Sequence, residues 1–242
     1  MRKDDSPQRH FDVEELQTIV DNFHRDGFVH VPSVLSADLV EGLKTKTDEL
    51  LGDPELAARE NLDLHDKRYA QAHQTESGEQ IPFILRNTIG LDPIFLQTLE
   101  LPPIVELANA IVGEGCRFCG QNVLRNRPGI AIENWHVDDA LFYPVPEDVE
   151  RHDPRIQLPV LWLTVQIALS DIDAQDQGPT QYVAGSHMAG RKPDPTDTPS
   201  FEGRGPTPIM CKAGDVYLHN PQCWHRGAPN SSDRTRYLMQ NQ

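Results

Sequence analysis

Apolar side chains recur at helical spacing near the start of the chain and at strand spacing toward its end. Leu16, Ile19, Val20 and Phe23 fall at intervals of three and four within residues 13–25, which predicts a helix closed by Asp26-Gly27. Phe28-Val29-His30-Val31-Pro32 then reads as a short strand. Ser36 is placed to cap a second helix over residues 37–51, with Leu39, Leu43 and Leu50 on one face. Pro102 and Pro103 open a further helix through Ile111, closed by Gly113. From Cys116 onward, short apolar runs alternate with Gly, Pro and Asp turns. Strands are expected at 117–125, 132–138, 159–169, 180–184, 208–211, 215–219 and 235–240, the pattern of a sandwich or barrel. Residues 1–10 are charged and read as disordered. The polar stretch 52–80 reads as a linker or lid. The prediction is one domain over residues 11–242, in which a helix-rich part (11–115) braces a β-core (116–242).

Composition narrows the classes. The 242 residues are enough for a substantial core, and 20 Pro with 16 Gly favour short strands and loops over a helical bundle. The net charge of -15, from 37 acidic and 22 basic residues, repels phosphate backbones and anionic membranes, which argues against a nucleic-acid partner. No apolar run reaches the roughly 18 residues of a membrane span, and the start MRKDDSPQRH has no apolar core of a signal peptide. Cys116-Arg-Phe-Cys119 has no second pair to complete a zinc site, and on a strand its two side chains would face opposite sides. The four cysteines therefore read as buried or free thiols in a reducing cytoplasm.

The chemistry concentrates in three segments. In Trp135-His136-Val137-Asp138, residues two apart on a strand share a face, so His136 and Asp138 can grip one ion; an imidazole and a carboxylate suit Fe(II), Mn(II) or Zn(II). Asp215 through His219 forms a strand after a Gly-Asp turn, and His225 follows beside Trp224. Two histidines and one carboxylate on adjacent strands make a facial triad with coordination positions left open. In Asp233-Arg234-Thr235-Arg236, a fixed guanidinium near such a metal can hold a distant carboxylate through two hydrogen bonds.

Taken in order, these segments resemble the phytanoyl-CoA dioxygenase-like family of Fe(II)- and 2-oxoglutarate-dependent oxygenases. Asp26-Gly27-Phe28-Val29 with Val34-Leu35-Ser36, Trp135 to Asp138, Gly178-Pro179-Thr180 through Gly185-Ser186-His187, and Trp224-His225 through Pro229-Asn230 to Arg236 carry the resemblance over nearly the whole chain. It implies a mainly β fold with flanking helices, a double-stranded β-helix or jelly-roll barrel. It also implies a reaction in which 2-oxoglutarate and O2 yield succinate, CO2 and an oxidised small-molecule substrate. Carried over, His136, Asp138 and His225 are the iron ligands. Arg236, eleven residues after His225, binds the far carboxylate of 2-oxoglutarate, with Arg234 as its rival. Asn122 and Gln166 contact the cosubstrate, and Glu133, Asp139 and Phe142 are candidates for substrate contact. The loops 60–81, 140–157 and 189–207 are expected to line or cover the pocket. Gly185-Ser186-His187 is expected to be a structural turn, and His65, His73, His152 and His219 to be bystanders. Gly227 stands where many relatives carry serine. Asp138 favours hydroxylation, desaturation or ring formation over halogenation, because halogenating relatives replace this carboxylate. Two other readings keep the fold: a zinc metalloenzyme without redox chemistry, which has no use for Arg236, and an inactive barrel serving as a binding module.

Overall fold

A computed structural model describes residues 9–53 and 83–242. The expectations for residues 1–8, for most of the polar stretch 52–80, for the loop 60–81 and for His65 and His73 lie outside the described residues.

Helix α1 (Val13–Asp26) starts at Asp12, whose carboxylate accepts the Glu15 N–H at 2.8 Å. It stops at Gly27, which takes φ 82° and donates its N–H to the Phe23 carbonyl. Strand β1 (Phe28–Val31) follows directly. Ser36 caps α2 (Ala37–Leu51) by accepting from Leu39 N. Strand β2 (Ile84–Arg86), the short helix α3 (Gln97–Glu100) and α4 (Pro102–Val112) complete the N-terminal part. None of the described helices is long and apolar enough to cross a membrane.

Seven strands follow: β3 (Gln121–Asn126), β4 (Thr164–Ala168), β5 (Thr180–Val183), β6 (Pro206–Pro208), β7 (Val216–His219), β8 (His225–Gly227) and β9 (Arg236–Asn241). They form two antiparallel sheets, in the orders β1-β7-β4-β9-β3-β2 and β6-β5-β8. β1 and β2 lie at the edges of the large sheet, so the sheet is not confined to the chain after residue 116. The period of two decides what each face meets. Val123, Val165, Ile167, Val216, Leu218 and Met239 pack in one cluster with Phe23, Leu43 and Leu107 of the helices. The alternate residues of the same strands, among them Asn122, Leu124, Gln166, Arg236, Leu238 and Gln240, point to the other side and line a cavity. The small sheet closes over that side: Tyr182 of β5 stacks against Phe28 at 4.6 Å, and Thr180 and Tyr217 are hydrogen-bonded at 2.9 Å. The result is a jelly roll of two facing sheets, open at its edges rather than a closed barrel.

Four expectations change. The run 132–138 is not a strand. It pairs at His136 with His225, through hydrogen bonds of 3.0 Å in both directions, and at Ile132 with the Gly227 N–H. Four steps of chain thus face two, and the surplus, at exposed Glu133 and Asn134, bulges out. The run 208–211 meets a strand only at Pro208: β6 lies earlier, over Pro206–Pro208, at the edge of the small sheet where two prolines without an N–H are tolerated, and Cys211 forms an isolated bridge with Ile172. The first core strand begins at Gln121 rather than 117, after Gly113 and Gly115 at positive φ. Cys116 and Cys119 therefore sit exposed on irregular backbone, while Cys211 and Cys223 are buried, and all four are free. The histidine expected after a strand, His225, instead begins β8.

Gly27 also marks a close approach. A Cβ there would stand 2.5 Å from Nδ1 of buried His187, and φ 82° disfavours any L side chain. Gly27→Ala is expected to cost about 3 kcal/mol, adding left-handed strain to overpacking. Urea unfolding measures this, and a loss under about 1 kcal/mol would show that the His187 ring gives way freely.

Candidate metal centre

The bulge at 133–134 and the short strand β8 bring three ligand-type side chains together. One donor atom each from His136, Asp138 and His225 lies within 4.8 Å of the others. Nε2 of His136 is 3.8 Å and Nε2 of His225 3.4 Å from Oδ1 of Asp138. Both rings are held from behind through Nδ1, His136 against the Asn134 carbonyl at 2.8 Å and His225 against the Cys223 carbonyl at 2.9 Å. Those bonds place the proton on Nδ1 and leave each Nε2 lone pair facing the gap.

His219, expected to be a bystander, stands behind the carboxylate. Its Nε2 is 3.1 Å from Oδ2 of Asp138, and its Nδ1 is 2.9 Å from the Tyr182 hydroxyl. Thr164 Oγ1 approaches the same carboxylate oxygen at 3.4 Å. The Tyr182-His219-Asp138 relay spans both sheets, and no short motif announces it.

Electrostatics fit the donor set. Burial, reinforced by His225, pushes His136 down to about 4, and the same two causes push His219 to about 4. Both are neutral imidazoles near pH 7. Burial works against the Asp138 charge, yet His225 and His219 hold its carboxyl well below the usual range. Burial also opposes a charge on His225, but Asp138 outweighs it and the net shift is upward. A cation among these groups would compete with a proton for the His225 Nε2 lone pair.

The triad opens onto a cavity of about 280 Å³ lined by β3, β4, β9 and the small sheet. Buried Arg236 lines it, donating from Nη2 to Thr180 Oγ1 at 2.7 Å and, more weakly, to the Tyr217 hydroxyl at 3.4 Å. Its Nε has no partner among the described residues, and neither has Oε1 of Gln166. Thr180 thus supplies beside the guanidinium the hydroxyl that Gly227 lacks. Asn122, Gln166 and Asp139 also line the cavity. Arg234 lies outside β9, largely exposed, 3.8 Å from Asp173. Glu133 sits exposed in the bulge, and Phe142 donates its N–H to Gln222; neither is among the lining residues. Ser186 accepts the Trp224 N–H at 2.7 Å and His187 contacts the His24 carbonyl, so this segment is a structural turn. His152 contacts the Tyr143 carbonyl, away from the triad.

Comparison with known proteins agrees with this fold. Two curated mycobacterial proteins, Mb1539 of Mycobacterium bovis and Rv1501 of Mycobacterium tuberculosis, are each 24% identical over 161 residues, 66% of this chain and 54% of theirs. The chain therefore spans about half the length of the curated relatives it matches. The non-heme α-ketoglutarate-dependent epimerase SnoN from nogalamycin biosynthesis superposes with a TM-score of 0.67 at 22% identity, over 95% of this chain and 83% of SnoN. SnoN has also been solved with Fe3+, α-ketoglutarate and nogalamycin RO. Iron-bound HygX from Streptomyces hygroscopicus superposes at 0.64 with 17% identity, over 96% of this chain and 86% of HygX. At these identities the likeness shows the shared fold. The family model described as phytanoyl-CoA dioxygenase (PhyH) matches residues 23–238, and the chain belongs to that family.

Proposed function

We propose that this chain is an Fe(II)- and 2-oxoglutarate-dependent oxygenase that hydroxylates a C–H bond of a small molecule. His136, Asp138 and His225 would hold the iron, and Arg236 the far carboxylate of 2-oxoglutarate. The observation that carries this reading is the pairing of a three-donor site with a buried guanidinium in one cavity. A zinc site without redox chemistry has no use for that arginine, and an inactive scaffold has no use for the triad.

In the overall reaction one oxygen atom of O2 enters succinate, formed as 2-oxoglutarate loses CO2, and the other enters the hydroxylated product. Iron supplies the one-electron chemistry that lets dioxygen react with these closed-shell partners. The protein's part is positional. The Asn134 and Cys223 carbonyls aim the two imidazoles, and His219 and Thr164 orient Asp138. Thr180 and Tyr217 fix Arg236, leaving Nε to meet a carboxylate. Asn122 and Gln166 stand on the cavity floor as further cosubstrate contacts, and Asp139 at its rim as a substrate contact. Residues 11–242 would act as one oxygenase domain, and four free thiols suit a reducing cytoplasm.

The reading is tested by measuring succinate released from 2-oxoglutarate with and without Fe(II) under air. Iron-dependent release is expected, one succinate per product once a substrate is supplied. Absence of any iron-dependent turnover from folded protein would sink the proposal. The relay gives a second check. His219→Leu is expected to weaken Fe(II) binding by about ten- to a hundredfold, the usual cost of losing the group that orients a ligand. Competition against a chelator measures it, and an unchanged affinity would remove His219 from the account.

A further inference from the structure

We infer that the substrate is a small molecule with a polar head and an apolar arm, and that the arm lies in a groove beside α4 that meets the metal cavity at Trp162. This rests on the function proposed above and adds the substrate class.

The meeting of two cavities carries the inference. Around the start of β4, alternate residues part company. Trp162 and Gln166 line the metal cavity, whereas Leu163 and Val165 pack with the helices on the other side of the large sheet. On that second side, where β4 begins and β9 ends, lies a groove of about 620 Å³, a size usual for small-molecule sites. Val105 and Ala108 of α4, Phe118 and Leu161 form its apolar wall. Trp162 and Gln242 line both spaces, so two side chains are shared between them. Thr164, which touches Asp138, is two residues from Trp162, at most about 7 Å along the backbone. A ligand held at the triad therefore has the groove within reach.

The two spaces differ in chemistry. On the triad side, the amides of Asn122, Gln166 and Gln240 face the cavity and suit a polar head. In the groove, Leu161, Phe118 and Val105 are 63%, 42% and 41% exposed. Three of the eight large apolar side chains exposed among the described residues thus meet in one place, and such a concentration marks a binding surface where scattered exposure would not. At the junction, Trp162 Nε1 is buried without a partner among the described residues. An indole N–H left unpaired there costs stability that an accepting atom of a ligand would recover. The order from the triad outward is polar lining, one donor, then apolar wall.

Continuity with the metal cavity is what favours the substrate as occupant. The described residues that flank 54–82 lie toward the opposite end of the sheet. Phe83 accepts from the Arg125 N–H, and Asp48 of α2 meets Arg125 and Tyr237. Arg125 stands four residues along β3, roughly 13 Å, from Gln121, which pairs with the groove-lining Asn241.

The test uses the whole chain under nitrogen, loaded with Mn(II) and saturating 2-oxoglutarate. Butanamide, hexanamide and octanamide share one neutral polar head and differ only in arm length. Their affinities, titrated by ligand-observed NMR, are expected to rise about fourfold per added methylene, the scale of burying one CH2. Mn(II) should relax the protons beside the amide more strongly than the terminal methyl. Octanamide should slow alkylation of Cys116 and Cys119, which are exposed and line the groove. Leu161→Glu should flatten the series with 2-oxoglutarate affinity unchanged. Ile156→Glu, at an exposed apolar residue outside the groove, should leave the series as it is. Affinity independent of arm length, a series that survives Leu161→Glu, or arm-dependent binding without relaxation by Mn(II) would each overturn the assignment. A dimer that Leu161→Glu dissociates would give the groove to a second copy of the chain and overturn it too. Failure of Mn(II) and 2-oxoglutarate to bind would instead overturn the function on which it rests.

Discussion

Asp138→Ala is expected to abolish iron-dependent consumption of 2-oxoglutarate and to weaken Fe(II) binding by more than about a hundredfold, beyond the usual cost of losing a group behind a ligand. Asp138 is the anionic member of the triad and its geometric hub: His136, His225, His219 and Thr164 all approach its two oxygens within 3.8 Å. Without it, two neutral imidazoles face a divalent ion with no anionic ligand among them. His219 also loses the partner for which its ring is set by Tyr182. Chelator competition gives the affinity, and a thermal melt separates this loss from unfolding. Tight iron binding by a folded Asp138→Ala protein would place the metal elsewhere.

The second large effect belongs to Arg236. Arg236→Ala is expected to raise the dissociation constant for 2-oxoglutarate by about a hundredfold, as removing charge-assisted hydrogen bonds in a buried site does. Iron affinity should stay unchanged, because the guanidinium contacts Thr180 and Tyr217 rather than the triad. Arg236→Lys should recover only part of the loss, since a point charge cannot reproduce the planar fork. Calorimetry under nitrogen on metal-loaded protein separates these outcomes. A change in 2-oxoglutarate affinity below about threefold, a fraction of one hydrogen bond, would assign the cosubstrate to another group.

How far the sequence alone reached depended on whether a feature is local. Helices α1, α2 and α4 were legible because their apolar spacing and their terminal residues, Ser36 and the Pro102-Pro103 pair among them, lie within a turn or two of the segment they define. The central strands β4, β7 and β9 were legible from runs dense in buried side chains. Strands β2 and β8, three residues each, are too short to show a period. The bulge at Glu133 and Asn134 escaped because it is defined by its pairing with Gly227 and His225, almost a hundred positions away. The supporting groups escaped for the same reason: His219 meets Asp138 across 81 positions, and Arg236 meets Thr180 across 56. The ligand-type residues themselves stood out because metal chemistry restricts which side chains serve, whereas the groups behind them need only a proton in the right place.

The most direct measurement is an anaerobic titration of the protein with Fe(II) and then 2-oxoglutarate, followed in the visible range. Metal-to-ligand charge transfer should appear as the cosubstrate chelates iron, and should be lost in His225→Ala and Asp138→Ala. In Arg236→Ala it should require far more 2-oxoglutarate. A folded, iron-loaded protein that shows no such band at saturating 2-oxoglutarate would contradict the account and leave the cavity to some other ligand.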